Sequence, residues 1–400
     1  MNSRWLSAIL FLSQALLTVQ VDGRKCGTTP TPYHVRERYR ELKLSLKESR
    51  PKTFLSRFRT SKSDNDAVIL VPVYIAVICP TQGRPLDPIR ECPPQSQIDE
   101  QIRILNQAHA DAYRTLGVSS GSRFEFIVQQ TQYYYNDTLF NYGVFLDQDT
   151  GQDSTAFHYE KYIPEVVHQV SQLNHDNEWI SLQLVIKGTP DGENTLGSAE
   201  KPFERYFYTQ LGTNISFQGI AQDPTYNPKD DHVFVHTLSL PKPQNTQGVS
   251  PKLLALQGDT LVHEVGHWLG LDHVFDDSKV KGCRFRDILL PWLPDDTPAM
   301  LYSEETLSTC IQVDTCPNQP GNDPVQNYMS YASDACMTEF TRSQYEMMQW
   351  IYQELRLKPW ESEPRDFEPV NRILASGQVL LQVNTWTSFF IASTTFLWLL

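Results

Sequence analysis

Residues 263–273, HEVGHWLGLDH, constrain the fold more than any other part of the chain. His263 and His267 are four residues apart, so on a helix they project from one face and can reach a single metal ion. Gly270 can adopt a positive φ and so end the helix. The resulting turn allows His273 to return as a third ligand. The pattern therefore predicts a buried helix, a glycine turn and one metal site.

The residue types in this pattern are those of a catalytic zinc site. Three neutral imidazoles leave the fourth position of a tetrahedral Zn²⁺ open. Glu264 lies one residue round the helix, where it can take a proton from water on the metal without being a third ligand. An amphipathic core helix explains apolar residues such as Val265 and Trp268, but it leaves the glutamate and the three histidines unexplained.

A second segment, NYMSY at 327–331, follows further along the chain. An elongated zinc motif followed by a methionine-containing turn resembles the metzincins. Within that clan, three more segments are similar to those of the pappalysin-type (ulilysin-like) endopeptidases, and the resemblance extends from about residue 68 to residue 354. The three segments are DDTP at 295–298, DPVQNYM at 323–329 and DACMTEFT at 334–341.

This resemblance implies an α/β (α+β) metzincin fold. A twisted mixed sheet and the active-site helix form the upper subdomain, and a disulfide-bonded, loop-rich lower subdomain carries the methionine turn. It also implies that Met329 forms a hydrophobic base under the zinc and that Tyr331 lies near the metal as an additional donor to the oxyanion. Related enzymes can carry Ca²⁺ near residues 276–309, but the sequence fixes no calcium ligands.

Seven cysteines indicate an oxidising compartment, and their number is odd. Four of them lie beyond the zinc helix, where sequence alone permits three pairings. The resemblance implies the pairs Cys283–Cys316 and Cys310–Cys336. Cys79 and Cys92 flank a turn-rich loop and are expected to close it as a third disulfide. Cys26 then has no predicted disulfide partner.

Cys26 lies in a basic segment. Residues 24–62 contain 12 Lys or Arg and three Glu, whereas the whole chain has a formal net charge of −13. Such an arm is attracted to an acidic domain, and a thiolate is a strong ligand for the open fourth position of zinc. One hypothesis is a cysteine switch that keeps a zymogen latent; the alternatives are an intermolecular or an unpaired thiol.

The apolar segments at both ends of the chain are typical of processing signals. Residues 1–23 carry Arg4 and then an apolar run, which predicts a signal peptide cleaved after Gly23; the run is short for a membrane anchor. Residues 386–400 are apolar and uncharged, and the small residues Ala375 and Ser376 precede them. This pattern predicts a glycosylphosphatidylinositol anchor at Ala375 or Ser376, with a buried C-terminal strand or helix as the alternative.

The chain is thus predicted to comprise five parts. They are a signal peptide at 1–23, a basic pro-segment at 24–65, a catalytic domain at 66–356, a linker at 357–375 and an apolar tail at 376–400. Two sequons, at Asn136 and Asn214, fit the secretory route.

Hydrophobic patterns place strands at 68–79 and 123–132 and an alternating strand over 180–186. Ser96 is predicted to cap a helix whose apolar stripe runs from Ile98 to Leu116, and a second helix is expected over 162–170. The family resemblance further implies that residues 196–199 form the edge strand that pairs with extended substrate.

The sequence therefore predicts a zinc metalloendopeptidase, secreted or on the outer cell surface, that acts as a monomer on proteins or peptides. No nucleotide-binding loop or basic nucleic-acid stripe is present, so nucleic acid is not an expected partner. One alternative is a catalytically silent zinc-containing binding protein, against which intact Glu264 argues. Another is a different metzincin branch with another substrate class, against which the segment from Cys283 to Cys336 argues.

Overall fold

The computed structural model describes residues 25–26, 28, 68–81, 92–116, 123–141, 180–188, 195–202, 231–241, 256–275, 283, 296–301 and 310–357. The chain divides into two compact units, Met1–Trp360 and Glu361–Leu400, and all described residues lie in the first. The predicted signal peptide, the helix at 162–170, Asn214, Ala375, Ser376 and the apolar tail lie outside the described residues. Within those ranges, no helix has the length and apolar character needed to cross a bilayer.

Six strands, four α-helices and two short helical turns make up the regular structure of the described residues, and one of these turns is the 3₁₀ helix Thr237–Ser239. The strands are β1 (Lys25–Cys26), β2 (Val68–Cys79), β3 (Arg123–Tyr135), β4 (Leu182–Lys187), β5 (Thr195–Ala199) and β6 (Val233–His236). The helices are α1 (Gln95–Thr115), α2 (Asp137–Asn141), α3 (Asp259–Trp268) and α4 (Arg342–Ile351), and a π-helical turn, Tyr352–Leu357, follows α4.

The six strands form one mixed sheet in the order β1-β5-β6-β4-β2-β3. Strands β3, β2, β4 and β6 are parallel, β5 is antiparallel to β6, and β1 is parallel to β5. The α/β class and the mixed sheet are thereby confirmed. Strand β5 would be the edge of the sheet, as predicted, but the two residues of β1 pair with it.

Strand β4 differs from its predicted alternation of buried and exposed residues. All six of its residues are buried, including Gln183 and Lys187. The reason is topological, because β4 lies between β2 and β6, and an interior strand of a parallel sheet is covered on both faces. Strand β3 runs three residues beyond the predicted end, since β2 pairs with it as far as Cys79↔Tyr135.

Helix α1 has the predicted apolar stripe but a different start. Ser96 was predicted as the N-cap, and this prediction is wrong because Pro94 occupies the N-cap position with φ −70° and ψ 156°. Its carbonyl oxygen accepts the first helical hydrogen bond from Gln97 N–H at 3.0 Å. The proline ring fixes φ at a value compatible with the helix start, and Pro94 has no N–H that would need a partner there, so the helix begins two residues before the predicted position.

Three disulfides join the predicted partners: Cys79 to Cys92, Cys283 to Cys316, and Cys310 to Cys336. Cys310–Cys336 ties the segment after the methionine turn to residue 310. Cys283–Cys316 joins the only described residue between 276 and 295 to the same loop-rich region. Covalent links of this kind limit the movement of loops that have little regular structure of their own.

A buried ion pair fixes the C-terminal end of helix α3. Arg356 Nη1 lies 2.5 Å from Asp231 Oδ2, and Arg356 Nη2 donates to Trp268 O at 2.9 Å. The guanidinium also lies 3.7 Å from the centre of the Trp268 ring. A cation at the carbonyl end of a helix interacts favourably with the helix dipole, so the pair stabilises the helix that carries the candidate site.

Candidate metal centre

Helix α3 and the turn after it place the three predicted histidines together. All ten residues of α3 are buried, because the helix packs against β5, β6 and α1, and against Met329 at Gly266. Gly270 has φ 92°, as the sequence predicted, and its N–H donates to His267 O at 2.7 Å. This left-handed glycine ends the helix and turns the chain so that His273 returns to the other two.

The three Nε2 atoms of His263, His267 and His273 lie 3.1 Å from one another. His263 Nδ1 is 2.7 Å from Tyr328 O, and His267 Nδ1 is 2.7 Å from Leu271 O. A carbonyl oxygen can only accept, so each of these Nδ1 atoms carries the proton and each Nε2 presents a lone pair.

This donor set fits a metal ion. Burial, followed by the neighbouring charges of His273 and His263, lowers the pKa of His267 well below its ordinary value, which keeps the imidazole neutral. Neutral nitrogens that face each other at 3.1 Å repel unless a cation lies among them. Nitrogens on a tetrahedral zinc at about 2.0–2.1 Å are about 3.3–3.4 Å apart, close to the observed spacing.

Glu264 is buried beside this cluster, with 1% of its surface exposed. Strand β5 limits where its side chain can lie. A Cβ atom at Gly197 would come within 2.7 Å of Glu264 Cγ. Glycine at this position therefore lets the strand backbone pass directly against the carboxylate, a requirement that the sequence alone did not reveal.

Met329 lies beneath the helix at Gly266, where an added Cβ would overlap the Met329 sulfur. Its backbone is held on both sides: Met329 N–H donates to Asn327 Oδ1 at 3.0 Å, and Met329 O accepts from Val274 N–H at 3.2 Å. The predicted methionine thus lies against the helix between His263 and His267 and is linked to the segment just after His273.

Two aromatic rings surround His273. The Tyr331 ring centre lies 4.8 Å from that of His273, so the structure places this predicted residue at the cluster. Phe275 stacks on His273, with ring centres 4.9 Å apart and planes inclined by 6°. Sequence reasoning missed Phe275; an aromatic residue two positions after the third histidine was the signal that could have identified it.

Cys26 completes a four-residue cluster with the histidines. Its sulfur and one nitrogen from each of His263, His267 and His273 all lie within 4.8 Å of one another. Cys26 forms no disulfide. Burial, and then the charge of Glu264, raises the pKa of the Cys26 thiol well above its ordinary value, and a bound cation would oppose both effects.

The chain around Cys26 makes further contacts with the site. Cys26 pairs with Gly197 in the β1–β5 ladder, and its N–H donates to Tyr331 Oη at 3.2 Å. The Thr28 hydroxyl donates to Glu264 Oε2 at 3.1 Å and accepts from Ala199 N–H at 2.8 Å. Sequence reasoning missed Thr28, and a hydroxyl two residues from the odd cysteine offered no distinguishing signal.

The remaining predicted sites lie apart from this cluster. Asn136 is exposed, and its Oδ1 accepts from Leu139 N–H at 3.1 Å at the start of α2. Asn214, Ala375 and Ser376 lie outside the described residues. Most of residues 276–309, where the resemblance implied calcium, also lie outside them, and Ca²⁺ gains no support.

Three converging imidazoles, an adjacent buried carboxylate and a methionine packed against the same helix form a candidate metal centre. Residues 254–352 match the peptidase M43 family model, which is described as pregnancy-associated plasma protein-A. The part of the chain that carries the three histidines, Glu264 and Met329 is therefore similar to the pappalysin family, the resemblance that the sequence motifs indicated.

Individual proteins agree with this result. The chain is 45% identical over 100 residues to an extracellular metalloprotease of Pyricularia oryzae, covering 25% of this chain and 31% of that protein. It is 37% identical over 139 residues to an extracellular metalloprotease of Verticillium alfalfae, covering 34% of this chain and 45% of that one. The matched stretches thus span less than half the length of either relative.

Among solved structures, a promirolysin mutant of Tannerella forsythia is similar over 85% of this chain and 100% of that one. The sequence identity is 22% and the TM-score is 0.48.

Proposed function

We propose that the protein is a zinc metalloendopeptidase that hydrolyses internal peptide bonds of proteins. The observation that supports this most strongly is the convergence of three histidine Nε2 atoms at 3.1 Å beside the buried carboxylate of Glu264. His263, His267 and His273 would hold one zinc ion. The ion would polarise the scissile carbonyl and make its bound water acidic enough to react near neutral pH.

Glu264 is the general base in this proposal. Its carboxylate accepts a proton from the attacking water and then donates that proton to the leaving amide nitrogen. Gly197 confines the position of the carboxylate, because the β5 backbone passes directly against the Glu264 side chain. Tyr331 would donate its hydroxyl hydrogen to the carbonyl oxygen as negative charge develops there. Met329 forms the apolar floor that keeps the helix and the His273 loop together.

Strand β5 is the proposed binding edge for substrate. In this structure Cys26 pairs with Gly197 of β5, and the Thr28 hydroxyl accepts a hydrogen bond from Ala199 N–H. When this segment is removed, the same backbone groups become available to an extended polypeptide. Backbone pairing is largely independent of side-chain identity, which favours a protein substrate over a small molecule.

Incubation of the activated protein with an unfolded protein tests the proposal. We expect products whose new termini lie inside the substrate chain, identified by mass spectrometry. A folded chain that binds zinc yet cleaves no peptide bond after removal of residues 24–65 would contradict the proposal and favour the silent binding protein. Termini confined to substrate ends would indicate an exopeptidase instead.

We also propose that residues 24–65 form a pro-segment that keeps the enzyme latent. Two contacts support this: the Cys26 sulfur lies at the histidine cluster, and the Thr28 hydroxyl binds the proposed general base. The segment would thus occupy both the open metal position and Glu264 Oε2. Its basic charge is complementary to the acidic remainder of the chain.

Secretion is proposed from the signal peptide at 1–23, with the catalytic domain at 66–356, a linker at 357–375 and the tail at 376–400. The relatives that carry the word extracellular in their names support secretion. Exposure of Asn136 is compatible with a glycan at that sequon, and Asn214 remains a second predicted site. We propose that the protease is a monomer.

We expect the apolar tail to be replaced by a glycosylphosphatidylinositol anchor at Ala375 or Ser376. Phosphatidylinositol-specific phospholipase C should then release the protein from intact cells. Recovery of the protein in the medium with residues 386–400 still attached would contradict the anchor.

A further inference from the structure

The start of helix α3 is capped from a distant part of the chain. Gly258 occupies the N-cap position with φ 100°, and glycine has no side chain to accept the first N–H groups of the helix. Asp334 supplies the acceptor instead. Its Oδ2 accepts from Gln257 N–H at 2.6 Å and from Asp259 N–H at 3.0 Å. Asp334 is 4% exposed, so these are buried, charge-assisted hydrogen bonds.

The segment that carries Asp334 also contacts the histidines. Tyr328 O accepts from His263 Nδ1 at 2.7 Å, and Met329 O accepts from Val274 N–H at 3.2 Å, next to His273. Residues 328–334 thus touch the helix at its first turn and at His263, and they touch the loop of the third histidine as well. Disulfide Cys310–Cys336 holds this segment two residues beyond Asp334.

We propose that Asp334 is a positioning residue of the metal centre. His263 lies one turn after Asp259, so the height and rotation of the first helical turn determine where the His263 and Glu264 side chains point. Asp334 fixes that turn against the same segment that orients His263 and His273. The negative carboxylate at the positive end of the helix dipole strengthens the connection. The proposal rests on the proposed function for its kinetic readout only.

Replacement of Asp334 by alanine removes both hydrogen bonds. Partners that orient metal ligands typically contribute about 10–100-fold in metal affinity or activity, so we expect cobalt(II) affinity of the full chain to fall by that factor. In the activated enzyme, kcat should fall by about the same factor while KM changes less than about twofold, since β5 is untouched. The cobalt absorption bands should shift as the ligand geometry loosens.

Asn106→Ala is the matched control. Asn106 Nδ2 donates to Phe126 O at 2.9 Å, and its Oδ1 accepts from Phe126 N–H at 2.7 Å. It therefore also makes two hydrogen bonds to backbone, but it joins α1 to β3, and neither element carries a metal-site residue. This variant should lower Tm without changing cobalt affinity, the cobalt spectrum or kcat.

Asp334→Asn covers the case in which the alanine variant does not fold. Its amide oxygen can still accept both N–H groups but lacks the charge, so we expect a folded protein with cobalt affinity lowered by about 3–10-fold. Unchanged cobalt affinity and spectrum in the folded Asp334 variants, with Tm lowered as in Asn106→Ala, would overturn the proposal. Cobalt binding does not require proteolysis. A wild-type chain that binds cobalt but cleaves nothing would contradict the proposed function alone.

Discussion

Replacement of Glu264 by glutamine is expected to lower kcat of the activated enzyme by about 10²–10⁴-fold, the range over which general acid–base catalysis contributes. Glutamine has nearly the same shape, but its amide cannot take a proton from water. The three histidines are unchanged, so zinc content should remain at the wild-type level. Cleavage kinetics and metal analysis on the same sample measure both effects.

Glu346→Gln is the matched control for this substitution. Glu346 is an exposed glutamate on α4 that pairs with Arg342 at 2.9 Å, so its change to glutamine should leave kcat near the wild-type value. Full activity of Glu264→Gln with zinc bound would remove Glu264 from the mechanism. Loss of zinc from that variant would mean that the carboxylate is itself needed to hold the ion.

Replacement of Cys26 by serine in the full chain is expected to give a precursor that is active earlier, or processes itself faster, than the unsubstituted chain. Serine keeps the size of the side chain but binds zinc much more weakly than a thiolate does. The release should be partial, because the Thr28 hydroxyl remains on Glu264 Oε2 at 3.1 Å. Thr28→Val removes this second contact, and the double variant should be the most active precursor.

Cobalt-substituted precursor gives an independent readout of the same contact. In the Glu264→Gln background, which prevents self-processing, a sulfur-to-cobalt charge-transfer band should be present and should disappear in Cys26→Ser. Absence of the band from the unsubstituted precursor would exclude the thiol as a ligand. Equal latency of all the pro-segment variants would show that Cys26 and Thr28 do not maintain it.

The parts of the molecule that the sequence predicted are those set by local or repeated patterns. The run of β-branched residues in 68–79 predicted β2 with both of its ends, and the zinc motif predicted the turn at Gly270. The pairing beyond the zinc helix followed from the family resemblance, since spacing alone left three choices. The start of α1 shows where even a local rule fails, because the helix begins directly after Pro94 and the hydroxyl of Ser96 does not cap it.

The contacts that the sequence did not reveal join residues far apart in the chain. Thr28 and Glu264 are separated by 236 positions, and Asp334 and Asp259 by 75. Each depends on tertiary packing, which brings an ordinary hydroxyl or carboxylate next to one particular group. Gly197 belongs to the same class, since only its approach to Glu264 distinguishes it from other glycines in strands.

Titration of zinc into metal-free activated enzyme tests the central claim most directly. Phenanthroline should abolish cleavage of an unfolded protein, and stepwise addition of zinc should restore it in proportion to occupancy. We expect full activity at one zinc per chain, and in Glu264→Gln recovery only to a kcat about 10²–10⁴-fold below the wild-type value. Cleavage that persists after the metal has been removed would contradict the account.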